Sequence, residues 1–229
     1  MRRLVIGRSP FNDPPFRVMF DEAIGGIQKG EDVFYAACHG VCKACFANPG
    51  SGVVQCLCCR FFSWLIEQKI GKQVHVVSFP HVKAVQVKFT YTTNSELKAI
   101  RYKGVNVGYA VFSEYVSWTR DVAGEISAEK KRFLDYLLIE ACRYVDVAEG
   151  LIDTIKPDEI SVFNGRVIES RPFLELSKLK GINVHVCEVV YKSLQNGQYL
   201  YLKDDCENDL PHNIDVFTGK VILAIILEV

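Results

Sequence analysis

The strongest constraint on the fold is a strand–helix–strand unit in the last third of the chain. The apolar run Ile160–Phe163 predicts a buried strand, and the turn Asn164-Gly165-Arg166 follows it. A helix is predicted over Val167–Lys180, with Gly181 as its C-terminal stop, and the run Ile182–Val190 predicts the next strand. A crossover of this length joins neighbouring parallel strands, so we expect the local sheet to be parallel.

The same alternation of strands and helices continues through the rest of the chain. It predicts one α/β domain over residues 1–229, with three layers and a mostly parallel sheet. Residues 81–103 show no clear pattern. Strands are predicted at Leu4–Gly7, Asp32–Ala37, Gln73–Phe79 and Tyr199–Leu202. Helices are predicted at Phe16–Lys29, Phe61–Ile70, Tyr109–Arg120 and Ala128–Ile155, and Asn213–Leu227 is predicted as a final helix or an apolar tail.

Composition excludes several classes of protein. The 229 residues include 27 Lys+Arg and 27 Asp+Glu, so the formal net charge is zero, whereas a nucleic-acid-binding protein normally has a basic surface. The 49% of hydrophobic and 24% of charged residues are typical of a globular protein. The longest apolar run, Val221–Leu227, is far shorter than the roughly 20 residues of a membrane-spanning helix. We therefore predict a cytoplasmic protein without a transmembrane segment.

Six of the nine cysteines fall between residues 38 and 59. Two CxxC pairs, Cys42 with Cys45 and Cys56 with Cys59, flank a turn-rich stretch that would let them converge on one ion. Cys38 with Cys45 is a second way to form the first pair. This spacing predicts a structural zinc site, because clustered cysteines in the cytoplasm more often bind metal or carry out redox chemistry than form disulfides.

Two alternatives for the cysteines remain open. Cys38, Cys42 and Cys45 also match the CxxxCxxC spacing that holds a four-iron cluster in radical enzymes using S-adenosylmethionine. The second alternative is a set of reduced thiols, or a disulfide formed only after cell lysis. Outside the cluster, Cys142 and Cys187 are expected in the core, and Cys206 is expected as an isolated surface thiol.

Three further features are candidate ligand contacts. Asn164-Gly165-Arg166 follows a strand and opens a helix, a position that faces the ligand crevice in open α/β sheets, although a turn glycine beside a solvated arginine has the same pattern. Glu188 lies late in a strand and could act as a base or hold a hydroxyl group, or it could form an edge-strand salt bridge. Gly104 and Gly108 bracket a short loop that is a weak candidate for binding phosphate or sugar.

Several short segments, in order along residues 32–220, resemble one known family. They are the strand ending in Cys38, Cys45-Phe46-Ala47-Asn48-Pro49, Cys56-x2-Cys59, Glu96-Leu97, Tyr102–Gly108, Pro157–Arg166, Gly181–Glu188 and Leu210–Ile214. Together they resemble the N-terminal region of bacterial glycosyltransferases of capsule, surface-carbohydrate and lipopolysaccharide biosynthesis. The order of the segments carries more weight than any one of them.

The resemblance implies the acceptor-side half of an enzyme with two Rossmann-like domains. In that family the C-terminal half normally binds the nucleotide-sugar, and reaction occurs in the cleft between the halves. The chain ends at Val229, where the second domain would begin, so we expect the donor-binding half to be a separate domain or subunit. The implied partner is a carbohydrate or lipid-linked glycan acceptor, with peripheral association at the inner face of the membrane.

The resemblance also assigns roles to residues. It implies that Asn164, Gly165, Arg166 and Glu188 line the cleft, with Glu188 as base or acceptor positioner and Arg166 in contact with an anionic group. It favours Cys38, Cys45, Cys56 and Cys59 as the matching cysteine set, within a cysteine-rich insertion after the second strand, and leaves Cys42 and Cys58 as extras. The alternatives to glycosyl transfer are the iron–sulfur radical enzyme and a non-catalytic binding module held by zinc.

Overall fold

A seven-stranded sheet organises the part of the chain that the structure describes. This computed structural model describes residues 1–11, 15–70, 73–83, 85–122, 125–192, 199–205 and 214–219. The strands are β1 (Arg2–Ile6), β2 (Asp32–Ala37), β3 (His75–Ser78), β4 (Glu159–Phe163), β5 (Asn183–Lys192), β6 (Tyr199–Asp205) and β7 (Ile214–Gly219).

The strand order is β3-β2-β1-β4-β5-β6-β7. The first five in this order pair in parallel, whereas β5–β6 and β6–β7 pair antiparallel. The five-stranded part therefore has the order of a Rossmann-like sheet, in which the chain winds outward from β1, returns, and continues on its other side with β4. The α/β class and the mostly parallel sheet are confirmed.

Six helices connect the strands in the described residues. They are α1 (Pro15–Gln28), α2 (Val53–Ile70), α3 (Asn94–Ala99), α4 (Val107–Thr119), α5 (Ala128–Ile155) and α6 (Arg171–Lys180). The longest, α5, has the predicted bounds, and the Ser127 side chain caps it by accepting a hydrogen bond from the Lys130 N–H at 3.2 Å. This cap satisfies one of the N–H groups that a helix start leaves without a partner.

Two apolar cores lie on opposite faces of the sheet, as three-layer packing requires. Leu4 and Ile6 of β1 belong to the larger core with the buried faces of α4, α5 and α6. Val5, which lies between them, belongs to the smaller core under α1. This alternation is the two-residue period of a strand covered on both faces. Cys142 and Cys187 are fully buried, as predicted.

The cysteine segment differs from the expected insertion. Helix α2 begins at Val53 rather than at Phe61, so Cys56, Cys58 and Cys59 lie on the crossover helix between β2 and β3. The Asn48 side chain fixes the end of the loop before α2. It accepts a hydrogen bond from the Gly52 N–H at 2.8 Å and donates one to the Gly52 carbonyl at 2.9 Å. Because no glycine or proline interrupts residues 53–70, the helix extends through the second group of cysteines.

Other element bounds also shift. Helix α4 begins at Val107, with the Asn106 side chain as its cap, so Gly108 lies in the first turn and not in a loop. Helix α6 begins at Arg171 rather than Val167. Residues 164–170, before it, form bends and turns. The expected final helix or tail is wrong where it is described: Ile214–Gly219 alternates as a strand and pairs with β6, while residues 213 and 220–227 lie outside the described residues, as does Cys206.

Candidate functional site at the carboxyl edge of the sheet

The candidate site lies where β1 and β2 end, beside β4. The chain leaves β1 toward β2 on one side, and β4 occupies the other side, so the two halves of the parallel sheet diverge at this point. Connections on opposite faces leave a crevice outside the carboxyl ends of such strands, and ligands of open α/β sheets bind there. The crevice here is formed by residues 6–9 after β1, residues 37–48 after β2, and the inner face of α2.

A small cavity occupies this crevice. Its volume is about 50 Å³, enough for an ion or a few waters. Five of the six clustered cysteines line it, whereas Cys58 is exposed on α2. The five are Cys38, Cys42, Cys45, Cys56 and Cys59. The structure therefore brings both predicted CxxC pairs to one cavity.

Cys38 and Cys42 form the most closely linked pair of thiols. The Cys38 sulfur accepts a hydrogen bond from the Cys42 N–H at 3.4 Å. Hydrogen bonding lowers the pKa of Cys38. The bond with the Cys42 side chain is the largest cause, the bond from the Cys42 N–H adds to it, and burial opposes both. Burial raises the pKa of Cys42, which therefore stays a neutral thiol. The pair combines a thiol of lowered pKa with a neighbour of raised pKa.

The remaining lining cysteines are held by other contacts. Burial and the nearby Glu169 raise the pKa of Cys45. The Cys59 sulfur lies 3.3 Å from the Ser9 hydroxyl, and the Asn48 amide donates to the Cys56 sulfur at 3.1 Å. The Cys56 and Cys59 sulfurs therefore each form a hydrogen bond with a neighbouring side chain.

The cysteines fit a soft metal in chemistry but not in placement. Thiolates are the preferred ligands of zinc and of iron–sulfur clusters. Among the described residues, however, no group of three or more His, Cys, Asp or Glu side chains is positioned to hold a metal ion. The zinc site and the four-iron cluster at Cys38, Cys42 and Cys45 stay predictions.

Arg8 and Glu169 form a buried ion pair at the cavity wall. Their side chains are 3% and 10% exposed, and Arg8 Nη2 lies 2.7 Å from Glu169 Oε2. The same carboxylate oxygen accepts the Phe46 N–H at 3.0 Å, which ties the cysteine loop to the residues following β4. Sequence reasoning missed both residues. The available signal was position: Arg8 comes two residues after β1, the central strand at the point of divergence.

A second buried carboxyl group, Glu114 of α4, lies beside this pair. It is fully buried, and one oxygen accepts the Ile168 N–H at 3.0 Å. Burial, and secondly the negative charge of Glu169, raises the pKa of Glu114 to about 8. Glu114 is therefore mostly protonated and neutral at pH 7, so Glu169 is the negative partner that Arg8 meets.

His39 closes another side of the cavity. Its Nδ1 lies 2.7 Å from the Ser78 hydroxyl at the end of β3, and its Nε2 forms a short contact with Glu67 of α2. The imidazole therefore links the loop after β2 to β3 and α2, and it holds the inner face of α2 against the crevice.

The predicted turn after β4 lies at the same edge but outside the cavity. Asn164 and Gly165 have φ values of 67° and 62°, and the Asn164 N–H donates to the Cys187 carbonyl at 2.8 Å. Glycine suits position 165 because its φ is positive and because a β-carbon would lie 2.7 Å from the end of the Leu174 side chain, which would have to move. Arg166 is exposed, and none of the three lines the described cavity.

Glu188 occupies a different place in its strand from the one expected. It lies within β5, which continues to Lys192, and it pairs with Leu202 of the antiparallel strand β6. It is exposed, and it does not line the cavity. Because β4 ends opposite Cys187, Glu188 still lies just beyond the end of the neighbouring parallel strand. A base role there would act at the outer margin of the crevice.

The two loop glycines have structural roles at the opposite edge of the sheet. Gly104 has φ 83° and lies against Leu179, near the end of α6 that precedes β5. At Gly108 a β-carbon would lie 1.7 Å from the Leu97 carbonyl oxygen, so only glycine permits the close approach of α3 and α4. Since α6 runs back from the carboxyl edge to the amino edge, these glycines lie away from the crevice.

The outer face of α2 is an exposed apolar surface beside the cavity. Trp64 is 51% exposed and Phe61 is 55% exposed, and their rings lie 6.0 Å apart. We call this surface the α2 apolar face; it comprises Val53, Val54, Leu57, Phe61, Phe62, Trp64 and Leu65. Among the exposed α2 side chains that are described, Arg60 carries the one charge. The inner face of the same helix supplies Cys56 and Cys59 to the cavity.

Comparison with known proteins identifies no relative of this chain. No protein-family model, characterised protein or solved structure matches the chain. Of the helices that are described, none is long and apolar enough to span a membrane.

Proposed function

We propose that this chain is the acceptor-side domain of a glycosyltransferase that moves a sugar from a nucleotide-sugar in capsular or lipopolysaccharide biosynthesis. The acceptor would be a lipid-linked glycan at the inner, cytoplasmic face of the membrane. The observation that carries the proposal is the position of the carboxyl-edge crevice directly beside the α2 apolar face. A lipid-linked glycan needs both a polar site and an adjacent apolar surface.

The fold supports the placement of the acceptor. A Rossmann-like sheet offers its ligand crevice at the point where its halves diverge, and this chain has a cavity there. The resemblance of residues 32–220 to surface-polysaccharide glycosyltransferases supplies the reaction class. Proteins with a fold of this kind catalyse many different reactions. The proposed reaction must therefore be tested at the site residues.

The α2 apolar face supports contact with lipid. Its exposed fractions amount to roughly 700 Å², since a large apolar side chain presents about 150–250 Å² when fully exposed. This exceeds the patch size of about 300–600 Å² that is usual on a monomeric soluble protein. Tryptophan and phenylalanine also favour the boundary between headgroups and acyl chains. Because Arg60 is the one charged residue among the exposed α2 side chains that the structure describes, this face would bind through apolar contact more than through anionic lipid.

The chemistry would join an acceptor hydroxyl to the anomeric carbon of the donor. A base removes the hydroxyl proton, the acceptor oxygen forms a bond to the anomeric carbon, and the bond from that carbon to the nucleotide phosphate breaks. Glu188 is the proposed base or acceptor positioner, and Arg166 the proposed contact to an anionic group. The nucleotide-sugar would be held mainly by a second domain or subunit.

An add-back assay tests the proposal. Membranes from cells lacking this gene are supplied with labelled nucleotide-sugars, and incorporation into lipid-linked glycan is measured with and without the purified chain. We expect the wild-type chain to restore incorporation. Glu188→Gln should reduce the restored rate at least about a hundredfold, the lower end of what a general base contributes. Undiminished incorporation in the gene-deleted membranes would reject a role in glycosyl transfer.

A further inference from the structure

Arg8 is buried with part of its hydrogen-bonding capacity unused. Its side chain is 3% exposed and lines the cavity. One terminal nitrogen pairs with Glu169, but Nε and Nη1 have no hydrogen-bond partner among the described residues. A guanidinium offers five N–H donors in a rigid planar fork, and leaving such donors unpaired in a buried place is costly. An unused fork at a cavity wall indicates a ligand with matching acceptors.

Arg3 shows how the same chain treats a buried arginine with a purely structural role. Its side chain is 5% exposed and forms ion pairs with three carboxylates, those of Glu22, Glu31 and Glu159. Arg3 lies near the amino end of β1 and Arg8 just beyond its carboxyl end. In the part of the chain that the structure describes, the arginine at the amino edge has three acidic partners, whereas the arginine at the ligand edge has one.

The charges around Arg8 leave room for an anion. Glu169 also accepts the Phe46 N–H, so its charge is shared between two donors. The raised pKa of Glu114 keeps that carboxyl group neutral at pH 7. Of the other lining groups, Glu67 is paired with His39, and Cys38 is the thiol whose ionised form would oppose an anion. The positively charged guanidinium of Arg8, through its unpaired Nε and Nη1, is therefore the group at this crevice that can bind a negatively charged ligand.

We propose that the crevice binds an oxyanion, either a phosphate or a carboxylate, through Nε and Nη1 of Arg8. Arginine suits this task because its planar fork matches two oxygens of such a group. The cavity volume of about 50 Å³ accommodates one group of this size. In the proposed glycosyltransferase, which this inference deepens, the oxyanion belongs to the acceptor: a phosphate of its lipid linkage or a carboxylate of an acidic sugar.

Calorimetric titration of the full chain tests this assignment with three probes: pyrophosphate, methyl phosphate and glucuronate. We expect saturable binding of at least one probe, weakened at least tenfold in Arg8→Gln. Because that variant leaves Glu169 buried without its partner, Arg8→Gln combined with Glu169→Gln is the second test variant, since it removes both charges together. Arg132→Gln, at an exposed position on α5, is the control and should bind like wild type.

The probes separate the two sources of the oxyanion. Preference for pyrophosphate or methyl phosphate assigns a lipid-linkage phosphate, and preference for glucuronate assigns an acidic sugar. No saturable binding of any probe, or equal binding by wild type and the folded double variant, overturns the assignment of Arg8. Restored glycosyl incorporation in the add-back assay, together with absent oxyanion binding, would reject this inference and leave the proposed function in place.

Discussion

At the residue scale, burial determines which charges exist at the crevice. Arg8 and Glu169 pair directly at 2.7 Å, whereas burial and the negative charge of Glu169 raise the pKa of Glu114 against the smaller, opposing effect of Arg8. The same principle separates Cys38, whose sulfur accepts hydrogen bonds, from Cys42, whose pKa burial raises. Residue types alone do not reveal such differences, because they depend on neighbours from distant parts of the chain.

The pKa of Glu114 makes a prediction about stability and pH. A carboxyl group has an ordinary pKa near 4.5, and that of Glu114 is raised to about 8 in the folded protein. Between these values the folded state binds more protons than the unfolded state, so this group lowers stability progressively as pH rises from 4.5 to 8. Glu114→Gln should remove that decline, which is at most about 1.4 kcal/mol per pH unit.

Urea unfolding of wild type and Glu114→Gln at several pH values from 5 to 9 provides the check. Glutamine keeps an oxygen for the Ile168 N–H, so the variant retains the hydrogen bond while losing the ionisable group. The difference in unfolding free energy between variant and wild type should grow with pH in favour of the variant. A difference that stays constant with pH contradicts the raised pKa.

At the element scale, local sequence signals identified most elements but not their starts. The regular apolar spacing and the Ser127 cap define α5, and its predicted bounds are confirmed. By contrast, the start of α2 was missed because its first turns carry cysteines and exposed apolar residues in place of an amphipathic pattern. The start of α4 was missed because Gly108 resembles a loop residue, although the structure uses it for close packing.

Gly108 gives the sharpest prediction for an element. Gly108→Ala places a β-carbon 1.7 Å from the Leu97 carbonyl oxygen, so α3 and α4 must move apart. We expect a loss of about 3 kcal/mol in the free energy of unfolding, at the upper end of overpacking effects. Gly25→Ala in α1 is the matched control, because its β-carbon meets nothing within 4 Å. The control should gain roughly 0.5–1 kcal/mol from helix propensity. Equal effects of the two substitutions in urea unfolding would refute this packing.

The cap of α5 provides a second prediction at this scale. Ser127→Ala removes the acceptor for the Lys130 N–H and should lower the free energy of unfolding by about 1 kcal/mol. Ser127→Asp restores an acceptor at the helix start and should recover most of the loss. Thermal unfolding followed by circular dichroism measures both, and full stability of Ser127→Ala would show that the cap contributes nothing.

At the scale of the whole molecule, the strand–helix–strand unit and the alternation of elements were enough to predict the sheet class. They could not predict the cavity, because its walls come from the ends of β1 and β2, from Glu169 and from α2, which are far apart in sequence. The cysteine spacing indicated that residues 38–59 converge, and five of those cysteines share the cavity. The role of Arg8 required knowledge of which partners surround it.

The crevice and the α2 apolar face together form the surface on which the proposed function depends. Neither feature alone indicates a lipid-linked acceptor: the crevice is a general property of the fold, and exposed apolar residues have other partners in many proteins. Helix α2 joins the two features, because its inner side lines the cavity and its outer side is the exposed apolar face.

Vesicle flotation of the full chain tests that link most directly, with neutral phospholipid vesicles prepared with and without lipid-linked glycans extracted from the source cells. We predict flotation with both kinds, stronger when the glycans are present, and at least a tenfold loss for Trp64→Glu. Val122→Glu, at a position 68% exposed outside α2, is the control and should float like wild type. A wild-type chain that stays in the soluble fraction with both kinds of vesicle would contradict the proposed contact between the α2 apolar face and a lipid-linked acceptor.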